Sequence, residues 1–482
     1  MSSRAIALLL AAATPGALAC SPAASDGSSA TATTTDTDTD TASTGDDGSL
    51  AAAFAAEGFV AQRGHASAFL IEDCAALADC YGNNPSSPYL LFSVPAHPER
   101  PDSLPSFPVG ELPKIPEGMD PVMRMTEAEA IVIVGAMPPP AKYVGVTPYL
   151  FERWDGAAPV DVFASVADTL NHVNLQTTEA GEVAIIATSD RDAADRARAA
   201  LVADGLADAA IHELPLPRGV LRFGLEASAD TILLLGRVAL FADAAAGQAY
   251  LDDVPLDVYR LTPAASGAAI DPPPRATRGD GTNEDALAVP LEELEAAIFA
   301  SLGDAEWESV AIAGADTVSL AIDPERCIDT LSSCLGDNSD ATYAAGPIAA
   351  FLGVESLTLG ADEAFIVYGV NHAATGKAEY SAAAVYAQVK RAGVLTVNDA
   401  EMVGSAARYI PDHPDVDKLF AFEVRRDCSG HEGCVELSTG FPGVGLDESL
   451  FFMFRAYVNP GLAVSPGPGE LRTERVLKLL AP

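Results

Sequence analysis

The clearest hydrophobic pattern of the chain lies between residues 182 and 261, where continuous apolar runs alternate with alanine-rich stretches of helical periodicity. Short apolar runs bounded by turn residues favour buried strands, and the stretches between them favour helices. The predicted elements are, in order, a strand at 183–188, a helix at 190–204, strands at 209–216 and 230–241, a helix at 242–252 and a strand at 256–261. This order predicts a ferredoxin-like βαββαβ segment, whose sheet carries two helices on one face.

A second amphipathic pattern predicts a helix that follows Pro290 and ends before Gly303. Leu291 and Leu294 begin the apolar stripe on one face of this helix. Proline is favoured in the first turn of a helix and glycine just after its last turn. Other apolar runs, such as residues 130–134, are short and favour strands. The predicted fold class is therefore α+β with a majority of strands.

Two cysteine-containing stretches, residues 74–89 and 327–343, are similar to each other. From the second cysteine of each stretch they align without a gap, and the identical pairs are Cys80 with Cys334, Gly82 with Gly336, Asn84 with Asn338 and Tyr89 with Tyr343. Further matches follow at similar spacing: 130–135 with 364–369, 184–190 with 421–427, Arg237 with Arg455, and 258–261 with 476–479. Self-similarity over this length indicates a tandem duplication, so we predict two homologous, mainly-β halves.

The duplication predicts how the chain is divided. The predicted segments are a signal peptide at 1–19, a disordered tether at 20–48, a first α+β repeat at 49–263, a Pro-rich linker at 264–288 and a second α+β repeat at 289–482. In the second repeat, the loop from Cys428 to Cys434 and the Pro-rich segment 459–469 stand where the first repeat has its two helices. A sheet without these helices would expose an apolar face. We therefore expect the two repeats to pack face to face around a pseudo-twofold axis.

The N-terminus has the pattern of an export signal. Arg4 is followed by the apolar run 5–13 and then by small residues up to Cys20. The run is too short to cross a membrane, which needs about 20 apolar residues. Residues 1–20 resemble a bacterial lipoprotein leader, and the resemblance implies cleavage before Cys20, a lipid on Cys20 and sorting to the outer membrane.

The leader departs from the lipoprotein pattern at one position. Leu18 lies one place nearer to Cys20 than the leucine of that family, and residues 17–19 also match an ordinary signal-peptidase site. In that second case Cys20 would be the new N-terminus without a lipid. Residues 21–48 consist almost entirely of Ser, Thr, Ala, Asp and Gly, which cannot bury enough apolar surface to fold. They predict a tether that joins a folded body to the membrane through the N-terminal lipid.

The other six cysteines lie in three close pairs: Cys74 with Cys80, Cys327 with Cys334, and Cys428 with Cys434. Six cysteines allow 15 connectivities, and proximity favours the local one. Zinc sites usually have tighter spacings or neighbouring histidines, whereas only His431 lies inside one of these loops. We therefore predict three local disulfides in an exported protein, and neither a metal nor a cofactor.

The charge of the chain restricts its partners. Asp and Glu number 68 against 28 Lys and Arg, which gives a net charge of −40. So acidic a surface repels phosphate backbones, and a nucleic-acid partner is excluded. The acidity itself favours solubility. The identity of a small-molecule or protein ligand does not follow from the sequence.

Candidate chemistry lies in the second repeat. His372 and Lys377 follow the predicted strand 364–369, and such a loop could supply a base and a partner for a carboxylate or an oxyanion. His413 is a second candidate because it lies between two aspartates, which could raise its pKa. The predicted catalytic residues are thus His372, Lys377 and His413. The alternative for each is an ordinary structural or surface hydrogen bond.

No nucleophile elbow, phosphate-binding loop, HExxH sequence or dinucleotide fingerprint occurs in the sequence. Beyond its leader the chain resembles no named family of known activity. The predicted function is that of an exported, lipid-anchored protein of the cell envelope, in the outer membrane or secreted, with a non-catalytic binding or surface role. The alternative is a secreted hydrolase or transferase with a site around His372 and Lys377.

Overall fold

Most of the regular structure in the described part of the chain is β-sheet. The computed structural model describes residues 47–105, 114–347 and 356–481, which belong to one unit spanning residues 46–482. The predicted signal peptide, Cys20 and all but the last two residues of the predicted tether lie outside the described residues. The α+β class is as predicted. No described helix is both long and apolar enough to cross a membrane.

The strands are mostly five to eight residues long, as their short apolar runs predict. They are β1 Phe59–Arg63, β2 His65–Phe69, β3 Tyr89–Pro95, β4 Met119–Asp120, β5 Val122–Met123, β6 Ala130–Ala136, β7 Ala141–Trp154, β8 Pro159–Ser165, β9 Leu170–Asn171, β10 Glu182–Thr188, β11 Ile211–Pro215, β12 Thr231–Phe241, β13 Leu256–Pro263, β14 Trp307–Val310, β15 Ala341–Gly346, β16 Ala364–Val370, β17 Tyr380–Ala387, β18 Ala392–Asn398, β19 Leu419–Arg425, β20 Cys434–Glu436, β21 Leu450–Tyr457 and β22 Arg475–Leu479.

The helices are few and short. They are α1 Asp47–Ala56, α2 Arg191–Ala203, α3 Ala244–Asp252, α4 Ala288–Leu302, α5 Ala315–Ala321, α6 Pro324–Thr330 and α7 Asp399–Met402. Short 3-10 turns occur at Ile71–Ala75, Asp208–Ala210, Asp285–Leu287, Ser405–Arg408, Val416–Lys418 and Pro468–Glu470. The helix predicted after Pro290 is α4, which begins two residues before that proline and ends at Leu302, just before Gly303.

The strands form four main sheets. Sheet I has the order β1-β13-β6-β10-β11, sheet II the order β2-β3-β12-β7-β8 with β4, β5 and β9 at its margins, sheet III the order β14-β22-β16-β19-β20, and sheet IV the order β15-β21-β17-β18. Sheets I and III share one pattern of directions, because only their last pairs, β10 with β11 and β19 with β20, run parallel. The other neighbours along both paths are antiparallel.

The predicted ferredoxin-like segment is wrong, although its six elements are found close to their predicted positions. Strand β12 pairs with β3 and β7 in sheet II, whereas β10, β11 and β13 belong to sheet I. The strands therefore do not form one sheet under two helices. Most of β12 is buried, and it pairs with the 14-residue β7 over nearly its whole length. Periodicity indicates that such a strand is buried but not which neighbour it pairs with.

The predicted differences between the two parts of the chain are present. In sheet I the parallel strands β10 and β11 are connected through helix α2, whereas in sheet III the connection from β19 to β20 is a short loop closed by Cys428 and Cys434. Between β12 and β13 lies helix α3. Between β21 and β22, the described residues 458–474 contain only a 3-10 turn.

The sheets are stacked in two pairs. Ile131 and Ile185 of sheet I pack in one cluster with Phe92 and Leu234 of sheet II. Sheets III and IV pack in the same way, and the rings of Phe365 and Phe452 form a T-shaped pair with centroids 5.0 Å apart. Helices α1 and α2 cover the outer face of sheet I, and α4 covers that of sheet III. Sheets II and IV each have a second face that is not covered by sheet I or sheet III, and these two faces lie toward each other.

The predicted linker, residues 264–288, is packed against the sheets. Ile270 N–H donates to the Ser189 carbonyl at 2.9 Å, and the Arg275 guanidinium donates to the Ser165 carbonyl at 2.8 Å. Gly279 N–H donates to the carbonyl of Ser465 at 2.9 Å. The linker therefore contacts both the residues before it and those after it.

All three predicted disulfides are formed. The Cα atoms are 5.5 Å apart for Cys74 and Cys80, 5.8 Å for Cys327 and Cys334, and 5.6 Å for Cys428 and Cys434. Disulfides occur mainly in proteins outside the cytosol, so these three indicate an oxidising, extracytoplasmic environment.

Candidate functional site

The candidate site is a cavity of about 160 Å³ between sheets II and IV. Its wall on the side of sheet II includes Leu91, Phe151 and Leu235, and its wall on the side of sheet IV includes Phe451 and Met453. Apolar and aromatic side chains make up most of the lining. The charged side chains among the described lining residues are Arg237, Arg391, Arg455 and Asp337.

Two loops, one from each part of the chain, border the cavity. We call residues 80–84 clasp 1 and residues 334–338 clasp 2; they belong to the two similar cysteine-containing stretches of the sequence. Each clasp is bound by the opposite part of the chain through two backbone hydrogen bonds. These are Cys80 N–H to Lys390 O at 2.7 Å, Gly82 N–H to Arg391 O at 2.9 Å, Cys334 N–H to Val162 O at 2.8 Å and Gly336 N–H to Phe163 O at 2.9 Å. The two clasps therefore exchange equivalent contacts.

The side chains of the clasps extend this reciprocity. The amide oxygen of Asn83 accepts from Gly393 N–H at 2.8 Å, and the carboxylate of Asp337 accepts from Ser165 N–H at 2.8 Å. Tyrosine hydroxyls bind the carbonyls of the same two residues. The Tyr386 hydroxyl donates to Asn83 O at 2.6 Å, and the Tyr149 hydroxyl donates to Asp337 O at 2.7 Å. Each clasp is therefore held on both its backbone and its side chains.

Both clasps have the same unusual backbone. Tyr81 and Leu335 have φ of 53° and 54°, and the glycines that follow them, Gly82 and Gly336, have φ of 75° and 68°. Residues other than glycine rarely adopt this left-handed backbone conformation. Strain of this kind persists only where surrounding contacts hold it, and it often accompanies a binding site.

Two buried arginines connect the clasps to the cavity. Arg237 on β12 donates through Nη2 to the carbonyl of Gly336 in clasp 2 at 3.1 Å. Arg455 on β21 donates through Nη2 to the carbonyl of Gly82 in clasp 1 at 3.3 Å. Each guanidinium also lies near tyrosine rings. The centroid distances are 5.4 Å from Arg237 to both Tyr89 and Tyr149, and 5.7 Å and 5.3 Å from Arg455 to Tyr343 and Tyr386.

Two aspartates of the second motif are buried nearby. Burial raises the pKa of Asp337 although the Ser165 hydroxyl binds its carboxylate at 2.6 Å. Burial also raises the pKa of Asp340 to about 7, and one of its oxygens accepts from the Tyr143 hydroxyl at 2.9 Å. Tyr143 is fully buried and packs against Tyr457, with ring centroids 4.7 Å apart. Polar groups at this junction are thus shared by the two parts of the chain.

His372, the first predicted catalytic residue, is buried between two carboxylates. Its Nδ1 lies 2.9 Å from a Glu284 oxygen and its Nε2 lies 3.1 Å from a Glu474 oxygen. Burial alone would lower the pKa of His372, but the two glutamates outweigh it and raise the pKa to about 10. A histidine that stays protonated at neutral pH is a poor general base there. This geometry favours a structural role.

The other two predicted catalytic residues lie in separate polar contacts. The Lys377 ammonium donates to Asp280 at 2.7 Å and to Glu470 at 2.9 Å. Burial lowers the pKa of Lys377, but these carboxylates outweigh it and raise the pKa above its ordinary value. His413 Nε2 lies 3.1 Å from Glu293 of α4. Lys377 and His372 both bind residues of the segments 280–284 and 470–474. The His413 side chain forms no hydrogen bond or ion pair with either segment among the described residues.

Sequence reasoning missed Arg237 and Arg455 as candidate binding residues. They are a matched pair in the comparison of the two similar halves of the sequence, but the match itself does not indicate a binding role. They lie at the cavity because β12 pairs with β3 and β7, and β21 pairs with β15 and β17. The sequence does not reveal this pairing. Among the described residues, no group of three or more His, Cys, Asp or Glu side chains is arranged to hold a metal ion.

Comparisons with known proteins add little to this geometry. No family model matches the chain, and no curated protein matches it. An uncharacterized protein from Burkholderia cenocepacia of known crystal structure is 12% identical, with 83% of this chain and 77% of that chain covered and a TM-score of 0.35. The VPA0106 protein from Vibrio parahaemolyticus is 11% identical, with 74% of this chain and 88% of that chain covered and a TM-score of 0.32. Similarities this weak carry no argument about fold or function.

Proposed function

We propose that this protein is a non-catalytic binding protein that takes a small, largely apolar molecule into the cavity between sheets II and IV. The observation that carries the proposal is the cavity itself, which has a volume of about 160 Å³ and mainly apolar and aromatic walls. A cavity of about 150 Å³ with walls of this kind is large enough to bind benzene. Concave apolar sites with a few polar groups are typical of small-molecule binding.

The polar groups of the cavity favour binding over reaction. The lining cysteines Cys80 and Cys334 are both in disulfides, so neither offers a thiolate. Asp337 is held by Ser165, and Arg237 donates to the backbone of clasp 2. The alternative of a hydrolase or transferase around His372 and Lys377 is less well supported, because both side chains are fully engaged by carboxylates.

Binding in the cavity predicts a thermal shift with small apolar probes. Toluene or indole should raise the melting temperature of the mature protein, because a ligand at about 100 times its dissociation constant adds about 2.7 kcal/mol to the free energy of unfolding. Ala345 lines the cavity from β15, and Ala345→Leu should weaken binding at least tenfold by filling it.

The matched control is Ala244→Leu, an exposed alanine at the start of α3. This variant should bind the probes as the wild type does. The proposal fails if neither these probes nor small acids and amides with a similar apolar body bind the wild type, or if Ala345→Leu binds them with unchanged affinity while remaining folded by circular dichroism.

We further propose that the protein works in the cell envelope, anchored by a lipid on Cys20. The support is the leader-like pattern of residues 1–20 and the three disulfides, which suit an oxidising compartment. A lipidated cysteine followed by a tether would hold the binding body near a membrane surface. Several acyl chains together anchor a protein firmly, since each buried CH₂ contributes about 0.8 kcal/mol.

Lipidation predicts a specific labelling result. When the whole chain with its leader is expressed in a Gram-negative host with an alkyne fatty acid, the wild type should be labelled and sediment with membranes. Cys20→Ala should be neither labelled nor membrane-bound. An unlabelled wild type released in soluble form would contradict the lipid anchor and leave simple export by an ordinary signal peptidase.

The predicted tandem duplication of residues 49–263 and 289–482 is also a proposal. It is supported by the shared strand order of sheets I and III and by the equivalent contacts of the two clasps. It would make the cavity a product of two repeats that face each other. A relative with a single repeat that dimerises through the same clasp contacts would test it.

A further inference from the structure

The three arginines that line the cavity differ in how their charge is compensated. Arg391 forms an ion pair with Asp79, and a second carboxylate, that of Asp161, lies 3.7 Å away. Arg237 and Arg455 are only 4% and 5% exposed, and neither forms an ion pair with a carboxylate of the described residues. Arginine cannot lose its proton in a protein, so both side chains remain charged.

The hydrogen bonds of Arg455 are incomplete. Its Nη2 donates to Gly82 O, but Nε and Nη1 are buried without an acceptor among the described residues. Tyr343 and Tyr386 lie beside the guanidinium and offer it their ring faces. Aromatic faces stabilise a buried cation only in part. A buried charge without a counter-ion or a full set of hydrogen bonds is costly.

The remaining charged group of the cavity does not supply the missing partner. The Asp337 carboxylate accepts from both the backbone N–H and the hydroxyl of Ser165. Both of these hydrogen bonds go to Ser165 of β8, and the carboxylate forms no ion pair with Arg237 or Arg455. Among the described residues, Nε and Nη1 of Arg455 therefore lack an acceptor, and a ligand in the cavity beside them can supply one.

We infer that the ligand of the cavity is a small monocarboxylic acid whose carboxylate binds Arg455 and whose apolar body packs against the aromatic and aliphatic walls. This inference rests on the proposed binding function and adds the chemical class of the ligand. Hydrogen bonds between guanidinium and carboxylate are charge-assisted and stronger than neutral ones. Arg237 adds a second positive charge, whereas Asp337 disfavours ligands with two or more negative charges. The walls accommodate an aromatic ring or a short aliphatic chain.

The test compares each acid with its uncharged amide on the mature wild-type protein at pH 7, by calorimetry. Benzoate should bind at least tenfold more tightly than benzamide, and hexanoate at least tenfold more tightly than hexanamide. Amides that bind as tightly as the acids overturn the inference. If toluene binds and the acids show no preference, the inference alone fails. If neither toluene nor any acid or amide binds, the proposed function fails with it.

Variants locate the preference. Arg455→Gln should remove the preference for the acid, whereas Arg455→Lys should keep most of it because the charge remains. Arg100→Gln is the control, since that arginine is exposed, is paired with Asp102 and is not among the described residues that line the cavity. A preference that survives in folded Arg455→Gln, or disappears in Arg100→Gln, contradicts the assignment to Arg455. If Arg455→Gln does not fold, the inference is still tested by the preference for each acid over its amide, measured in the wild type and in Arg455→Lys.

Discussion

His372→Ala is expected to lower the free energy of unfolding by about 3–5 kcal/mol, the usual effect of breaking a buried ion pair by removing one partner. The imidazole lies between Glu284 and Glu474, at 2.9 Å and 3.1 Å from their carboxylates, and all three side chains are buried. Without the positive charge, two buried carboxylates lose their counter-ion. Urea unfolding of the mature protein measures the change.

The same contacts predict how stability depends on pH. The pKa of His372 is raised from 6.5 to about 10 by the two glutamates, which outweigh the effect of burial. Protonated His372 therefore stabilises the folded protein. This contribution is fully present below the pKa of the histidine in the unfolded chain, near 6.5, and is lost as the pH rises through its pKa in the folded protein. Burial raises the pKa of Glu284, but His372 outweighs this and lowers it below 4.5, so its contribution is lost only as the pH falls through that lowered value. The cluster should stabilise most between about pH 4.5 and pH 6.5.

His413→Ala is the matched control for His372→Ala. His413 pairs with Glu293, whose side chain is 57% exposed, and ion pairs at the surface contribute about 0–1 kcal/mol. The wild type should lose stability between pH 8 and pH 10, and this loss should be smaller in His372→Ala because the titrating group is absent. The structural role of His372 is refuted if His372→Ala and His413→Ala lower the free energy of unfolding by the same amount.

Gly336→Ala in clasp 2 is expected to destabilise the protein by about 2–5 kcal/mol. Part of this is the left-handed backbone, with φ of 68°, which costs a residue other than glycine about 1–2 kcal/mol. The remainder is steric, because a Cβ atom at Gly336 would lie 2.6 Å from the ring of Phe163. Phe163 is buried and itself has φ of 35°, so its ring has little freedom to move away. Overpacking of this kind typically costs about 1–3 kcal/mol.

Gly82→Ala in clasp 1 provides the matched comparison. Its φ of 75° is similar, but the nearest atom to the added Cβ is the Leu335 carbonyl oxygen at 4.0 Å. This variant should therefore lose only the backbone part, about 1–2 kcal/mol. The double variant Gly336→Ala with Phe163→Leu should recover part of the loss if the ring contact causes it. Equal losses for the two glycine variants would show that the close approach to Phe163 is not important.

The predicted catalytic residues illustrate what a sequence can and cannot say about a site. A histidine and a lysine after a predicted strand are candidates because they could supply a base and a partner for a carboxylate or an oxyanion. Their carboxylate partners, Glu284 and Glu474 for His372 and Asp280 for Lys377, are distant in sequence. Composition and spacing give no access to such contacts, and only the contacts distinguish a protonated structural ion pair from a base.

Local signals in the sequence are sufficient to predict the strands, the helices and the three disulfides. Apolar runs predicted the strands β10 and β12 and the helices α2 and α4, because burial periodicity and helix-end residues act over a few positions. The three disulfides join cysteines six or seven residues apart, so proximity in the chain was enough to pair them.

The tertiary structure alone decided which strands share a sheet and what lies between the sheets. Strand β12 joins sheet II and not the sheet of its chain neighbours, because its apolar side chains find partners on β7 and β3. The crossing of the clasps brings Arg237 and Arg455, 218 positions apart, to the lining of one cavity. The physical reason is that hydrophobic periodicity specifies how deeply a residue is buried but not against which distant residue, and a binding site consists of those distant contacts.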